Sequence, residues 1–259
     1  MRQINALKKK LADKQPVVGM WAALPCPSIV EMASQADYDF IIIDNEHGQM
    51  TLETTIDMIR ASGLGCSEAM VRVPGKDADF LKRMLDAGAT SFMVPMVDTA
   101  EQASAIVAAC RYPPLGWRGY AAPAVRGSRY GLDADYVDWA HEELFLCLQI
   151  ESREAVANAE PIAAVEGVDM LFIGASDLSG SFGVLGQTAH PEVLAAMDLV
   201  KTAAGKHGKP LGTIPRPGTS TADLAKDGYL LGAGAVDIMM VRDAALADIK
   251  AFRTANNQT

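Results

Sequence analysis

Four apolar runs in this sequence end in groups that can hold ions or move protons. Phe40-Ile41-Ile42-Ile43 leads into Asp44-Asn45-Glu46-His47-Gly48, and Glu68-Ala69-Met70-Val71 into Arg72-Val73-Pro74. Leu144 to Leu148 leads into Gln149-Ile150-Glu151, and Met170 to Ile173 into Gly174-Ala175-Ser176-Asp177. Turn formation alone does not call for ionisable groups at the same end of four runs. If the runs are neighbouring parallel strands, Glu151 and Asp177 project from strands roughly 4.8 Å apart. Two carboxylates so placed suit a shared Mg²⁺, whose oxygen ligands sit at about 2.1 Å and whose remaining waters a bidentate substrate displaces. The competing structural account has Glu151 capping a helix that starts near Arg153 and Asp177 making a turn with Ser179. His47, one of four histidines, stands beside Asp44 and Glu46, where an imidazole can serve as acid or base. It reads equally as a polar loop residue. Arg72 carries a permanent charge that can grip a carboxylate or neutralise an enolate oxygen; its alternative is an internal ion pair with Glu46 or Asp44.

The elements that must position these groups are legible in the pattern. Eight short apolar runs alternate with stretches of helical period, the signature of repeated βα units around a parallel sheet. The runs are Pro16 to Ala23, Phe40 to Asn45, Glu68 to Val73, Phe92 to Val97, Leu144 to Ile150, Met170 to Gly174, Pro210 to Ile214 and Val236 to Val241. Several are apolar at nearly every position, as expected of strands covered on both faces. Helices are expected over Ser28 to Ala36, Leu52 to Ala61, Ala78 to Ala87, Ala100 to Cys110, Arg153 to Ala159, Pro191 to His207, Ser220 to Asp227 and Ala244 to Thr254. Ser28 with Glu31, and Thr51 with Thr54, read as helix starts, Pro191 suits a first turn, and Gly63, Gly88 and Gly208 read as left-handed stops. Eight such units fill about 250 residues, so 1–259 is expected to be one (β/α)8 TIM barrel, with its active site at the C-terminal ends of the strands. The irregular segment Arg111 to Glu143, with Arg111, Arg118, Arg126 and Arg129, is longer than an ordinary connection and is either a functional loop or a solvated excursion.

Composition narrows the function. Across 259 residues, 32 acidic side chains outweigh 23 basic ones, and the formal charge of -9 argues against nucleic-acid or anionic-lipid partners. No apolar run approaches the ~18 residues of a membrane span, and Met1 to Gln15 lacks the apolar stretch of a secretory signal, so a cytoplasmic protein is expected. Cys26, Cys66, Cys110 and Cys147 show no paired or metal-binding spacing and read as free thiols. Neither GxGxxG after a strand nor GxxxxGK[ST] occurs, and no strand carries an obvious lysine for imine chemistry.

Together these residues resemble the metal-dependent class II pyruvate aldolases of the HpcH/HpaI type. The match runs through nearly the whole chain: Asp44-Asn45-Glu46-His47, Val71-Arg72-Val73-Pro74, Lys82 to Gly88 with Asp86, Val94-Pro95-Met96-Val97, and Arg111-Tyr112-Pro113-Pro114-Leu115-Gly116-Trp117-Arg118-Gly119. It continues in Gln149 to Ala155, Val165 to Asp169 and Phe172 to Ser179. The resemblance implies a barrel of the phosphoenolpyruvate/pyruvate-domain type that binds Mg²⁺, Mn²⁺ or Co²⁺ through Glu151 and Asp177. It implies that the ion chelates a 2-oxo acid while Arg72 stabilises the enolate oxygen. It further implies that His47, supported by Asp44 and Asp86, handles the substrate proton by way of water. Gln149 would lie near the ion, and the backbone amides of Ser176 and Asp177 would hold the pyruvate carboxylate. Such proteins resemble one another in forming homo-hexamers of dimers that exchange the last helix, here Ala244 to Thr254. Gly174-Ala175-Ser176-Asp177 departs from the usual Gly-Pro-Ala-Asp. Arg216, or an arginine of the 111–143 loop, is a candidate for binding a distal carboxylate.

The activity expected is reversible aldol cleavage of a 4-hydroxy-2-oxo acid to pyruvate, or a substituted pyruvate, and an aldehyde. Breaking C3–C4 leaves charge that a divalent ion and Arg72 can bear. The alternatives are a CoA-thioester lyase or oxaloacetate decarboxylase using the same site, for which the arginine loop is the only candidate nucleotide groove, and a non-catalytic barrel that binds small acids.

Overall fold

A computed structural model describes residues 2–256. The chain opens with α1 (Ala6–Ala12), then β1 (Val17–Ala22), α2 (Pro27–Gln35), β2 (Phe40–Asp44), α3 (Leu52–Ser62), β3 (Glu68–Arg72), α4 (Ala78–Asp86), β4 (Ser91–Val94) and α5 (Ala100–Cys110). After a long connection holding a 3₁₀ turn and α6 (Tyr136–Glu143) come β5 (Phe145–Ile150), α7 (Arg153–Ala157), α8 (Ala159–Ala164), β6 (Met170–Ile173) and α9 (Ala175–Ser181). The chain then runs through α10 (Pro191–Lys206), β7 (Leu211–Thr213), α11 (Thr221–Lys226), β8 (Leu231–Val236) and α12 (Asp237–Ala255). The eight strands pair in sequence order, all parallel, and β8 closes onto β1, giving the expected (β/α)8 barrel.

Strand alternation divides the core in two. Ile41, Ile43, Val71, Phe92, Leu146, Leu148 and Ile173 pack outward against the helices. Phe40, Ile42, Met70, Met93, Cys147, Met170 and Phe172 fill the interior, and Leu7 and Leu11 of α1 join them. β2 is buried at all five positions, which is why it reads as an unbroken apolar run. On three strands the next residue inward after these interior side chains is polar: Asp44 after Ile42, Arg72 after Met70, Gln149 after Cys147. Register places Asp44 directly beside Arg72, and Ile150 beside Ile173, which brings Glu151 level with Gly174.

Several expectations are corrected. The last strand is Leu231–Val236, not Val236 to Val241. A strand of Leu, Gly, Ala and Val carries little hydrophobic signal, yet bulk is excluded there: a Cβ on Gly234 would lie 2.6 Å from Thr221 Oγ1 and 3.0 Å from Pro215. The strongly apolar stretch that follows begins α12, started by Asp237, whose buried carboxylate accepts from the N–H groups of Ala23 (2.9 Å) and Leu24 (3.0 Å). The helix expected from Arg153 stops at Ala157 and restarts at Ala159, because Pro161 has no N–H and its ring crowds the carbonyl four residues back. α2 is preceded by Cys26 with Pro27 in its first turn, and Ser28 makes no cap. Gly63 ends α3 at φ −72°, right-handed, whereas Gly88 and Gly208 have the expected positive φ. The 111–143 segment is an ordered excursion with its own small core of Tyr112, Ala122, Tyr136 and Trp139. All four cysteines are free, and no helix among the described residues is long and apolar enough to cross a membrane.

Candidate active site

The C-terminal ends of the strands surround a cavity of about 610 Å³. Asp44, His47, Arg72, Gln149, Glu151, Ser176 and Asp177 all line it, so seven of the eight residues singled out from sequence converge. Arg72 is nearly enclosed. Its Nε and Nη2 donate to the two oxygens of Asp44 at 2.9 and 2.6 Å, and its Nη1 lies 3.0 Å from Glu46 Oε2. The guanidinium stacks 4.5 Å over the Trp21 ring. The internal ion pairs expected of Arg72 are therefore formed with both Asp44 and Glu46, and the guanidinium also lines the cavity.

Burial alone would raise the Asp44 carboxyl. The Arg72 fork and the backbone N–H groups of His47 and Glu46 overcome it and hold Asp44 below the usual carboxylate range. Glu46 is different: burial outweighs the pull of Arg72 and His47, and its carboxyl sits above the usual range.

Glu151 is buried beside them. Oε1 accepts from Gln149 Nε2 at 2.9 Å and Oε2 from the Met96 N–H at 3.0 Å. Burial, opposed by the Met96 N–H and reinforced by the charges of Asp177 and Glu46, pushes its carboxyl up to about 7. The turn after β6 approaches so closely that a Cβ on Gly174 would lie 2.0 Å from Glu151 Oε1. Glu151 does not cap α7; Ser152 does, accepting from the Ala155 N–H. Asp177 and Ser176 lie in the first turn of α9, a helix where the sequence pattern suggested only a turn, and both are exposed to the cavity.

These groups suit a hard cation. Gln149 Oε1 is buried without a hydrogen-bond donor, and it adjoins a carboxyl that burial and like charge leave ready to lose its proton to a positive ion. Among the described residues, no three His, Cys, Asp or Glu side chains form a metal cluster, so an ion here would take two carboxylates and complete its shell with water or substrate oxygens.

Three expected contacts are not made within the chain. Asp44 supports the backbone of His47, not its ring; the imidazole is exposed, with Nε2 4.0 Å from Glu46 Oε2. Asp86 ends α4, which runs back from the β3 exit toward the opposite end of the barrel. There it accepts from Arg118 Nη2 at 2.7 Å, so it does not reach His47. Arg216 leaves the mouth and donates to Met197 Sδ at 3.4 Å. Three of the four loop arginines are likewise engaged elsewhere: Arg118 with Asp86 and Tyr136, Arg126 with the Ala87 carbonyl, Arg111 4.0 Å from Glu166. Sequence reasoning missed Trp21, Phe172, Pro215 and Met239, which form an apolar wall of the cavity. Trp21 and Phe172 were accessible from strand parity, since both close the inward-facing series; Met239 was hidden by the misplaced last strand.

A parallel eight-stranded barrel with a guanidinium and several acids gathered at its C-terminal mouth is a barrel enzyme. The sequence profile of the HpcH/HpaI aldolase/citrate lyase family matches residues 17–244. The chain belongs to that family and is a carbon–carbon lyase. It is similar to a hydroxypyruvate/pyruvate aldolase of Cupriavidus necator, 37% identical over 253 residues, covering 96% of this chain and 93% of that protein. It is also similar to a 5-keto-4-deoxy-D-glucarate aldolase of Klebsiella pneumoniae, 41% identical over 210 residues and 81% and 82% of the two chains. Among solved structures, an HpcH/HpaI aldolase/citrate lyase family protein from Burkholderia cenocepacia superposes with a TM-score of 0.91 at 34% identity, covering 96% of this chain and 99% of that one.

Proposed function

We propose that the protein catalyses reversible aldol cleavage of 4-hydroxy-2-oxo acids to pyruvate, or a substituted pyruvate, and an aldehyde, with a divalent cation (Mg²⁺, Mn²⁺ or Co²⁺) held by Glu151 and Asp177. One observation carries this reading: Glu151 and Asp177 line the same cavity as Asp44 and Arg72, and the Arg72 guanidinium is already paired with Asp44 and Glu46. A 2-oxo acid is an anion and would be repelled from such a mouth unless further positive charge were present. When bound, the divalent ion supplies that charge to the substrate's carboxylate and ketone oxygens.

The chain's own residues do the rest. Arg72, locked by Asp44 and Glu46 and backed by Trp21, is preorganised toward the negative charge that develops on the C2 oxygen as C3–C4 breaks. Fixing it in advance means no reorganisation accompanies the reaction. His47, exposed at the rim, takes the C4 hydroxyl proton by way of water, and the electrons of the C3–C4 bond remain with the pyruvate half. Ser176 and the first N–H groups of α9 face the pyruvate carboxylate. The wall of Phe172, Pro215 and Met239 excludes water beside it.

The same reading takes the protein to be a homo-oligomer, a hexamer in keeping with the family resemblance. After Asp237 every described residue of α12 is exposed, including Ile238, Met240, Val241, Leu246, Ile249 and Phe252, a surface that calls for cover. The test of function is incubation with pyruvate, a panel of aldehydes and Mg²⁺ or Mn²⁺, with a chelator control and product detection by mass. Condensation that persists unchanged in excess chelator contradicts the cation; binding of acids without any carbon–carbon chemistry contradicts the reaction.

A further inference from the structure

The connection between β4 and α5, Pro95 to Thr99, lends no side chain to the cavity, yet it is tied down from every side. Met96 has φ +53°, a left-handed conformation that residues other than glycine keep only when their surroundings fix it. Its own N–H donates to Glu151 Oε2 at 3.0 Å. The next peptide is held at both ends: the Met96 carbonyl accepts from Lys76 Nζ at 2.6 Å, and the Val97 N–H donates to the Gln149 carbonyl at 3.2 Å. Lys76 reaches across from the connection after β3 and also meets Gln102 Oε1 at 3.2 Å, the same oxygen that accepts from the Asp98 N–H at 2.9 Å. Asp98 in turn accepts from the Ser152 hydroxyl at 2.5 Å, on the residue following Glu151, and its carbonyl accepts from Asn158 Nδ2 at 2.8 Å.

We propose that Lys76 is a positioning residue: by holding the Met96 carbonyl it fixes the strained turn whose N–H sets the orientation of the Glu151 carboxylate, and so sets the protein's affinity for a divalent cation. This rests on the assignment of Glu151 as a cation ligand. The geometry divides the work between two donors. Gln149 fixes Oε1 from within the barrel, and the Met96 turn fixes Oε2 from the rim. Only the second depends on a side chain that is itself exposed. Without Lys76 the Met96–Val97 peptide keeps one anchor, and the left-handed turn can relax and carry its N–H away from Glu151.

Electrostatics makes the sign of the effect diagnostic. Removing a positive charge from the neighbourhood of a cation site tightens cation binding by Coulomb's law; removing a positioning contact weakens it. The experiment is calorimetric titration of metal-stripped protein with MnCl₂, without substrate, for wild type, Lys76→Met and Lys76→Arg. Lys76→Met keeps the alkyl stem and is expected to raise the Mn²⁺ dissociation constant about tenfold, the low end for loss of a ligand's supporting contact. Its thermal midpoint should stay at the wild-type value because Lys76 is exposed, and Lys76→Arg should recover most of the affinity. Equal or tighter binding by Lys76→Met overturns the inference, as does equal weakening in both variants, which would mark general loop damage. Absence of Mn²⁺ binding by wild type would instead sink the cation site itself, and this inference with it.

Discussion

Gly174→Ala adds one methyl group beside the proposed cation ligand, and its effect can be worked from the structure. The new Cβ would lie 2.0 Å from Glu151 Oε1, 2.6 Å from its Cγ and 2.7 Å from its Cδ, where ordinary contact begins near 3.4 Å. Gly174 has φ −82° and ψ 80°, so alanine meets no left-handed penalty and the consequence is one of contact. Either the carboxylate or the turn after β6 must retreat by roughly 1.4 Å, and retreat of Oε1 breaks its bond from Gln149. Misplacing a reacting group by about 1 Å costs on the order of 100-fold in rate. Overpacking of a tight site costs about 1–3 kcal/mol. Steady-state pyruvate release at saturating Mg²⁺, with urea unfolding of the same preparation, is therefore expected to show kcat/KM down about 100-fold against a stability loss of no more than about 3 kcal/mol. A variant with near-wild-type kcat/KM would refute the claim that the orientation of Glu151 controls turnover.

Arg72→Ala leaves Asp44 and Glu46 without their shared partner, and urea unfolding at neutral pH should show a loss of about 3 kcal/mol along with activity. Arg72→Lys keeps the charge but not the fork and should recover part of the stability and little of the rate. At the far end of the barrel, burial raises the Glu68 carboxyl above the usual range against the Thr90 and Ser91 hydroxyls that donate to it. The folded chain thus keeps a proton that the unfolded chain releases, and the stability this group contributes is present below pH ~4.5 and lost as pH rises through its folded value. Glu68→Gln should match wild type at low pH and exceed it increasingly toward neutrality in urea midpoints; a constant difference across pH would contradict this. On α12, Ile249→Glu with Phe252→Glu tests the proposed homo-oligomer: smaller species than wild type are expected in sedimentation velocity, while an unchanged mass would show that this face is not the contact.

How much of this was legible depended on burial. Strands covered on both faces, such as Phe40–Asp44, announce themselves as unbroken apolar runs, and on β2, β3 and β5 a polar residue at the end of the inward-facing series marks the mouth. That is why Asp44, Arg72, Gln149 and Glu151 could be placed together from sequence, with Asp177 following from the segment just after β6. β8 escaped because close packing there selects glycine and alanine, while the greasier stretch after it serves an exposed helix. The partners of the charged groups were less accessible. Whether Arg72 takes Asp44, Glu46 or both follows from cross-strand register, and the pairing of Asp86 with Arg118 follows from how the 111–143 excursion folds back on α4. The Met96 turn has no sequence signature, since a left-handed methionine is dictated by its neighbours and not by its own preference.

The proposed reaction requires this mouth to make a pyruvate carbanion tolerable by placing positive charge beside it. The most direct measurement omits the aldehyde: exchange of the pyruvate methyl protons with deuterated solvent, followed by NMR with Mg²⁺ and wild-type, Glu151→Gln, Asp177→Asn or Arg72→Ala protein. Exchange is expected to need both the ion and all three side chains, and to stop on adding a chelator. Exchange continuing at the wild-type rate in the chelator, or in the two acid variants, would contradict it.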